Sequence, residues 1–393
     1  MPRHPARTLF LLTLAAASAP GLFAISFAER IVDPNGPSSP WGKSVGDVDG
    51  DGDLDLVLGG NGGDLVWYEY PGWQRHTVAT GGGFRTDLEV ADVDGDDTPD
   101  LVVLDSGGLA WYEGPGWIRH GIENRSLHDI EVADLDGDGD IDVVARNQSP
   151  FGGDGNAVHF YRQDSPTSWA HLARACPHGE GLALALVDGD GRLDIVVNEV
   201  WIRNPGTLGT LANWTSFTYT TAWTHGAAFV ATGDFNADGR LDIALSPSEP
   251  EGDEYRLSWF EAPVDLETVW TERVVEPVVE TVLHALAAAD FDLDGDVDLA
   301  AAEMHQGADP DEIAIWANGG AGGSWTKVPI GSGGSHSFRA ADLDGDGDVD
   351  LFGANWSGGS QAPRVWLNVG PNGALFADGF ETGSTLAWSA AQP

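Results

Sequence analysis

The segment from Asp134 to Asp142 reads DLDGDGDID and places five carboxylates within nine residues. Carboxylates held this close in a folded loop repel one another unless a cation lies between them. Oxygen ligands at this density suit a hard cation such as Ca²⁺. The segment is shorter than the EF-hand loop and lacks its closing glutamate, so it predicts a different kind of calcium loop.

This pattern occurs seven times, and its spacing predicts the architecture. The loops begin at residues 47, 92, 134, 186, 234, 290 and 342, which are 42 to 56 residues apart. A period of this length is typical of propeller blades of four strands. We therefore expect an all-β fold, a seven-bladed β-propeller of four-stranded blades that extends from residue 29 to residue 370.

Each repeat shows the same four strands, most clearly the third, where we predict strands at 128–133, 141–146, 157–163 and 169–175. First strands are rich in small residues, as at 182–185 and 285–289, which suits the crowded centre of a ring. Tryptophans recur on third and fourth strands. We favour packing between blades over sugar binding for this aromatic series.

The two ends of the repeat region predict how the ring closes. The seventh repeat stops after its third strand, at the PNG sequence of residues 371–373. Residues 27–32 read FAERIV and are similar to the fourth strands WQRHTV and WTERVV. We expect this N-terminal strand to complete the last blade, which would leave no open sheet edge at the seam.

The N-terminal residues predict that the protein is exported. Residues 1–28 have the features of a signal peptide, with Arg3 and Arg7 before a short apolar run. Either 17–19 or 26–28 suits cleavage, although Pro20 disfavours the first of these sites. A membrane anchor is the alternative, which the shortness of the apolar run disfavours. The predicted location is secreted or extracellular, with the periplasm or cell surface as alternatives.

We expect residues 371–393 to form a C-terminal tail. This tail is a disordered segment, an added edge strand or a sorting element.

Acidic residues greatly outnumber basic ones. The chain has 62 acidic and 19 basic residues, a net charge of −43, and 31 of the acids lie in the seven loops. Such a protein should bind neither nucleic acid nor anionic membranes, and we expect no membrane insertion after signal cleavage. Cys176 is the only cysteine, so bound ions could supply the stability that disulfides often give secreted proteins.

Loops of the form D-x-D-x-D-G-x-x-D on blades of this kind resemble the FG-GAP or VCBS repeat family, best known from the seven-bladed propeller of integrin alpha chains. The phrases EVADLDGDGDIDVVA and LVWYEYPGWQRHTV are similar to its secreted bacterial members. The resemblance implies that the first, third, fifth and ninth side chains and the seventh carbonyl bind Ca²⁺, with about five to seven structural ions in all. The candidate metal ligands are Asp47, Asp49, Asp51, Asp53 and Asp55; Asp92, Asp94, Asp96 and Asp100; Asp134, Asp136, Asp138, Asp140 and Asp142; Asp188, Asp190 and Asp194; Asp234, Asn236, Asp238 and Asp242; Asp290, Asp292, Asp294, Asp296 and Asp298; and Asp342, Asp344, Asp346, Asp348 and Asp350.

Three loops depart from this pattern. The fourth has Leu186 in the first position, so we expect it to bind calcium weakly or not at all, and the fifth has Asn236 in the third. The second has Asp97 in place of the bend glycine, which aspartate tolerates in a left-handed conformation.

Three histidines recur in phase with the loops. His128, His284 and His336 each precede the first loop position by six residues, so they should surround one mouth of the central channel. There they could hold a transition metal or polarise a substrate carbonyl. Alternatively, each caps its own strand or lines a wet channel, and only the two on adjacent blades six and seven meet.

The sequence assigns no catalytic residue, because it shows no Ser/His/Asp order, phosphate-binding glycine loop or zinc signature. We therefore expect an adhesion or interaction module for a protein or glycan ligand. The alternatives are a lectin, or a carbohydrate-active enzyme that uses the channel mouth, since similar repeats accompany some polysaccharide lyases and sugar dehydratases.

Overall fold

A computed structural model describes residues 25–147 and 156–370. Most of the predicted signal peptide and the whole predicted tail lie outside these residues. Seven antiparallel sheets of four strands each make up the described chain, together with a short 3-10 helix at Leu211–Asn213. The predicted seven-bladed, all-β architecture is confirmed. No helix in this part of the chain has the length and apolarity needed to cross a membrane.

Strands are numbered along the chain, beginning with β1 (Phe27–Ile31). Blades one to three contain β2 (Pro40–Gly46), β3 (Asp55–Gly60), β4 (Leu65–Glu69) and β5 (Gln74–Ala79); β6 (Leu88–Ala91), β7 (Asp100–Asp105), β8 (Gly108–Glu113) and β9 (Ile118–Glu123); and β10 (Asp129–Ala133), β11 (Asp142–Asn147), β12 (Ala157–Ser165) and β13 (Ser168–Ala175). Blades four and five contain β14 (Ala183–Ala185), β15 (Asp194–Val196), β16 (Val200–Arg203) and β17 (Thr215–Thr218); and β18 (Ala227–Gly233), β19 (Asp242–Glu249), β20 (Glu254–Glu261) and β21 (Thr271–Glu280). Blades six and seven contain β22 (Leu283–Ala289), β23 (Asp298–Glu303), β24 (Ile313–Asn318) and β25 (Trp325–Gly331); and β26 (Ser337–Ala341), β27 (Asp350–Ala354) and β28 (Arg364–Asn368).

The N-terminal strand closes the ring as predicted. The last sheet has the order β26-β27-β28-β1, so β1 supplies the fourth strand of blade seven. Its register pairs Phe27 with Asn368 and Ile31 with Arg364. The inner strands β2 and β26 of the first and last blades contact each other, which completes the circle.

The hydrophobic core lies in layers between adjacent blades. Third-strand tryptophans fill these layers, and Trp111, Trp201 and Trp366 are at most 1% exposed. Residues from the fourth strand cover some of these rings on their outer side: His76 stacks on Trp67 with ring centroids 4.2 Å apart. These contacts support the interpretation of the aromatic series as packing between blades.

Candidate functional site

The two faces of the ring carry different chemistry. Each inner strand ends at an acidic loop, as β2 ends at Gly46 before the loop that leads to Asp55 in β3. All seven acidic loops therefore lie on one face, here called the loop face. The segments that lead into the inner strands, and those that follow the second strands, lie on the opposite face, here called the mouth face.

Local hydrogen bonds fold each acidic loop. In the third loop, Asp134 accepts hydrogen bonds from the backbone amides of Gly137 at 2.7 Å and Gly139 at 3.1 Å. Asp142 is fully buried and accepts from the amide of Leu135 at 3.1 Å. Gly139 has a φ of 97°, a left-handed conformation, and Asp97 adopts a φ of 65° at the equivalent bend of the second loop, as predicted.

Five of the seven loops gather carboxylates closely enough to share one cation. In each, three residues offer oxygen atoms that lie within 4.8 Å of one another, and in the described residues such groups occur in these five loops only. The groups are Asp47, Asp49 and Asp55; Asp92, Asp94 and Asp96; Asp134, Asp136 and Asp142; Asp290, Asp292 and Asp294; and Asp342, Asp344 and Asp350. An all-oxygen donor set of this kind fits Ca²⁺.

Burial shifts the acidity of the loop carboxylates. Burial raises the pKa of Asp55 and Asp100 to about 6. It raises the pKa of Asp142 and Asp350 to about 7, and neighbouring loop carboxylates add to the increase. A buried carboxylate with a raised pKa is costly to ionise, and a divalent cation among the oxygens would offset that cost.

The fourth and fifth loops contain arginines among their aspartates. In the fourth loop, Asp188 Oδ2 accepts a hydrogen bond from Nε of Arg203 in β16 at 2.8 Å, and Arg192 pairs with Asp190. In the fifth, Arg240 pairs with Asp238 in the same way. The seventh position of both loops is thus an arginine whose guanidinium neutralises the fifth-position aspartate. These contacts agree with the expectation that the fourth loop binds calcium weakly or not at all.

The residues six positions before each loop form a ring on the mouth face. The three predicted histidines belong to this ring: the carboxylate of Glu180 lies between His128 and His284, and His336 packs against His284. The imidazoles of His284 and His336 stack with centroids 4.1 Å apart, and His284 Nδ1 donates to the carbonyl of His336 at 2.6 Å. The seven ring residues, from blade one to blade seven, are Trp41, Thr86, His128, Glu180, Ala228, His284 and His336. A metal-binding role for the three histidines stays a prediction.

Glu180 is the functional candidate that sequence reasoning missed. Its Oε2 lies 3.5 Å from Nε2 of His128 in blade three, and its Oε1 lies 3.4 Å from Nε2 of His284 in blade six. Ser248 also donates a hydrogen bond to this carboxylate. The signal was available, because Glu180 precedes Leu186 by the same six residues as each histidine precedes its loop.

Two glycines let the segment that carries Glu180 lie against blade five. A Cβ atom on Gly179 would approach the carbonyl oxygen of Gly226 to 2.1 Å, and one on Gly181 would approach that of Ala228 to 2.3 Å. Ala228, the ring residue of blade five, is small. It is fully buried and packs in the core layer between blades four and five.

The surroundings of these histidines shift their pKa values in opposite directions. Burial alone would lower the pKa of His128, but the adjacent carboxylates of Asp129 and Glu180 raise it to about 9. Burial opposes ionisation of Glu180 too, yet the imidazoles of His284 and His128 lower its pKa to about 2. Burial lowers the pKa of His336 well below its usual range, and the positive groups His284 and Lys43 lower it further.

A cavity of about 670 Å³ opens above this ring on the mouth face. Trp41 and Trp356 form part of its wall, with ring centroids 4.9 Å apart and planes at 58°. A second cavity of about 160 Å³ shares Thr86, His128 and His336 with the first, so it continues down the channel. The further wall residues of the larger cavity are Asn61, Arg85, Thr86, Ser126, Leu127, His128, Glu249, Pro250, Glu251, Gln306 and His336.

Charged side chains fill the channel below. Arg339 pairs with Asp87 and, at 3.0 Å, with Glu89. Lys43 is fully buried, and burial together with the nearby Arg339 lowers its pKa to about 7. Ion pairs therefore line the channel beneath the mouth cavity.

A family comparison agrees with this architecture. The FG-GAP-like repeat family matches residues 47–103, 187–245 and 290–353. No curated protein matches the chain. Among solved structures, an Agrocybe aegerita lectin described as specifically recognising non-reducing terminal N-acetylglucosamine shares 15% identity, with a TM-score of 0.47 over 74% of this chain and 80% of its own. The V. cholerae biofilm matrix protein Bap1 shares 12% identity, with a TM-score of 0.45 over 89% of this chain and 92% of its own. With its matched repeats and seven four-stranded blades, the chain is an FG-GAP repeat β-propeller.

Proposed function

We propose that the protein is a secreted, calcium-stabilised binding module that takes a protein or glycan ligand at the channel mouth. The observation that carries this proposal is the division of the two faces. The loop face holds five oxygen clusters suited to Ca²⁺, and the mouth face holds the 670 Å³ cavity. A volume of this size lies within the range of about 300 to 1,000 Å³ that is usual for ligand pockets.

Calcium has a structural role in this proposal. Extracellular calcium modules bind with Kd values of about 10⁻⁴ to 10⁻³ M. At 1 mM Ca²⁺, an ion bound with a Kd of about 10⁻⁴ M stabilises the folded state by about 1.4 kcal/mol, so five ions would contribute about 7 kcal/mol.

Calcium titration and thermal unfolding test the proposal. We expect isothermal titration calorimetry to detect about five ions per chain, in agreement with the five oxygen clusters. We expect EDTA to lower the melting temperature by roughly 10 °C or more. No calcium uptake, together with an unchanged melting temperature, would refute a structural role for the ion.

Export remains part of the proposal, and the structure bears on where cleavage occurs. Phe27 and Ala28 of the closing strand pair with Asn368 and Leu367 of β28, and Ile25 packs with the core of the last blade. Cleavage after residue 28 would remove these contacts, whereas cleavage after residue 19 would keep them. N-terminal sequencing of the exported protein distinguishes the two sites.

Catalysis on a bound saccharide is a second candidate function. His128 and His336 line the same cavity, and their pKa values are shifted in opposite directions. A protonated and a neutral imidazole in one cavity are suited to act as general acid and general base. Turnover of a saccharide bound at the mouth, lost on substitution of His336, would support this function.

A further inference from the structure

Among the described residues, Trp41 and Trp356 are the two tryptophans that belong to no core layer between blades. Trp41 is the ring residue of blade one, and Trp356 follows β27 on the mouth face. Both are partly exposed, in contrast to the buried third-strand tryptophans. Their indole faces are therefore available to a ligand in the mouth cavity.

Neighbouring side chains hold this indole pair in place. His336 stacks beside Trp41, with ring planes 25° apart, and His305 meets Trp356 edge to face at 5.0 Å. Asn355, which precedes Trp356, is fully buried, donates to the carbonyl of Gly333 at 2.8 Å and accepts from the amide of His305 at 3.2 Å. The platform is thus rigid before a ligand arrives, which reduces the entropic cost of binding.

Polar atoms at the cavity wall lack partners. Nδ1 of His336, a residue only 5% exposed, has no hydrogen-bond partner in the described chain, and neither has Oε1 of Gln306. Buried polar atoms without partners cost free energy, and a ligand hydroxyl that hydrogen-bonds to them would recover it. The cavity therefore suits a ligand that has both a flat apolar face and several hydroxyl groups.

Charge decides the class of that ligand. The basic groups Arg85 and His128 and the acidic groups Glu249 and Glu251 balance within the cavity wall. The chain as a whole carries a net charge of −43, which repels polyanions such as uronate polymers. A cationic peptide would be attracted from a distance but would meet Arg85 and His128 inside the cavity.

We infer that the mouth cavity binds a neutral saccharide, which stacks on Trp41 and Trp356 and hydrogen-bonds to His336 and Gln306. The apolar C–H face of a sugar ring matches the indole platform, and its hydroxyls match the unpartnered polar atoms. This inference rests on the proposed function, because it names the ligand class of the binding face defined there.

A glycan array probed with the calcium-loaded chain gives the first test, followed by calorimetry with cellohexaose, chitohexaose, mannohexaose, tetragalacturonate and a lysine-rich peptide. We expect neutral glycans to bind, and tetragalacturonate and the peptide not to. Trp356→Ala should weaken binding of the neutral glycan roughly tenfold or more, and Trp356→Phe should restore part of the loss. Trp73→Ala is the matched control, since Trp73 lies against Tyr70 on the loop face and should leave affinity unchanged.

Three outcomes would overturn the inference: no neutral glycan bound by the folded protein, binding of anionic glycans or the peptide instead, or affinity unchanged in Trp356→Ala. Thermal unfolding of each variant confirms that it is folded. Calcium stoichiometry and chelator sensitivity are measured separately. A calcium-stabilised protein that binds only a peptide would therefore contradict the saccharide inference and leave the proposed binding module intact.

Discussion

Glu180 Oε1 of blade four lies 3.4 Å from Nε2 of His284 in blade six, and blade five stands between them. Contacts in a propeller usually join adjacent blades, so this pair adds a link that spans three. The same carboxylate also contacts His128 of blade three, so one buried group joins blades three, four and six.

Substitution of Glu180 should destabilise the protein strongly. Glu180→Gln removes the negative charge and leaves His128 and His284 without their common partner. Breaking a buried ion pair in this way costs about 3 to 5 kcal/mol. Urea denaturation at neutral pH measures the loss, and Glu251→Gln, an exposed change at the same mouth, is the control that should stay within about 0.5 kcal/mol. Equal stability of the two variants would show that the buried pair contributes nothing.

His128 should make stability depend on pH in the alkaline range. Its pKa rises from 6.5 in the unfolded chain to about 9 in the folded one, so its contribution is complete below pH 6.5 and is lost as pH rises towards 9. The full contribution is about 3 kcal/mol. Asp129, Glu180 and Glu249 are the carboxylates that face this imidazole.

The comparison with His128→Gln isolates that contribution. Lys43 has a lowered pKa of about 7, so its own effect on stability has the opposite sign in the same pH range. Lys43 is present in both proteins, and its contribution largely cancels in the difference. We expect the difference in free energy of unfolding between wild type and His128→Gln to shrink as pH rises from 6.5 to 9. A constant difference across this range would rule out the proposed ionisation of His128.

The repeat made the fold and the acidic loops predictable from the sequence. The buried group of Glu180, His128 and His284 was predicted only in part. The spacing of the loops places every inner strand, and residues 27–32 resemble a missing fourth strand closely enough to predict closure. Glu180 was not predicted because a single carboxylate in a sequence is normally interpreted as a solvent-exposed charge unless its partners are known. Those partners, His128 and His284, lie 52 and 104 residues away and meet Glu180 only when the blades pack around the common axis. The exposure of Trp41 and Trp356 likewise depends on how the mouth segments fold.

The closing strand should contribute to stability through its first side chain. Phe27 packs against Phe291 with ring centroids 6.3 Å apart and belongs to the layer between blades six and seven. Since Phe27 is partly buried, Phe27→Ala should cost about 1 to 3 kcal/mol, less than a fully buried phenylalanine. Denaturant unfolding measures this cost. Arg30→Ala, an exposed change on the same strand, is the control, and equal effects of the two would argue against packing at the seam.

Calcium stoichiometry should separate the third loop from the fourth. Asp136 and Asp188 occupy the same loop position, but Asp136 belongs to an oxygen cluster and Asp188 pairs with Arg203 at 2.8 Å. Asp136→Asn should reduce the calcium bound by one ion per chain, and Asp188→Asn should leave it unchanged. Calorimetric titration of the two variants measures the difference. Loss of an ion in Asp188→Asn would show that the fourth loop binds calcium despite its arginines.

The fourth loop should gain a calcium site when its missing carboxylate is restored and the guanidinium of Arg203 is removed. Leu186 is 49% exposed, so Leu186→Asp costs little packing and supplies the first-position carboxylate. Arg203→Gln then frees Asp188 from its ion pair. We expect the double variant to bind one more calcium ion than wild type, and its melting temperature to fall further on chelation, because four crowded carboxylates repel when no cation joins them. The single variant Leu186→Asp, which keeps Arg203, is the control and should gain no ion. If the double variant also gains none, another feature must explain why the fourth loop lacks an oxygen cluster. Neither the missing carboxylate at position 186 nor the ion pair of Arg203 would then be the cause.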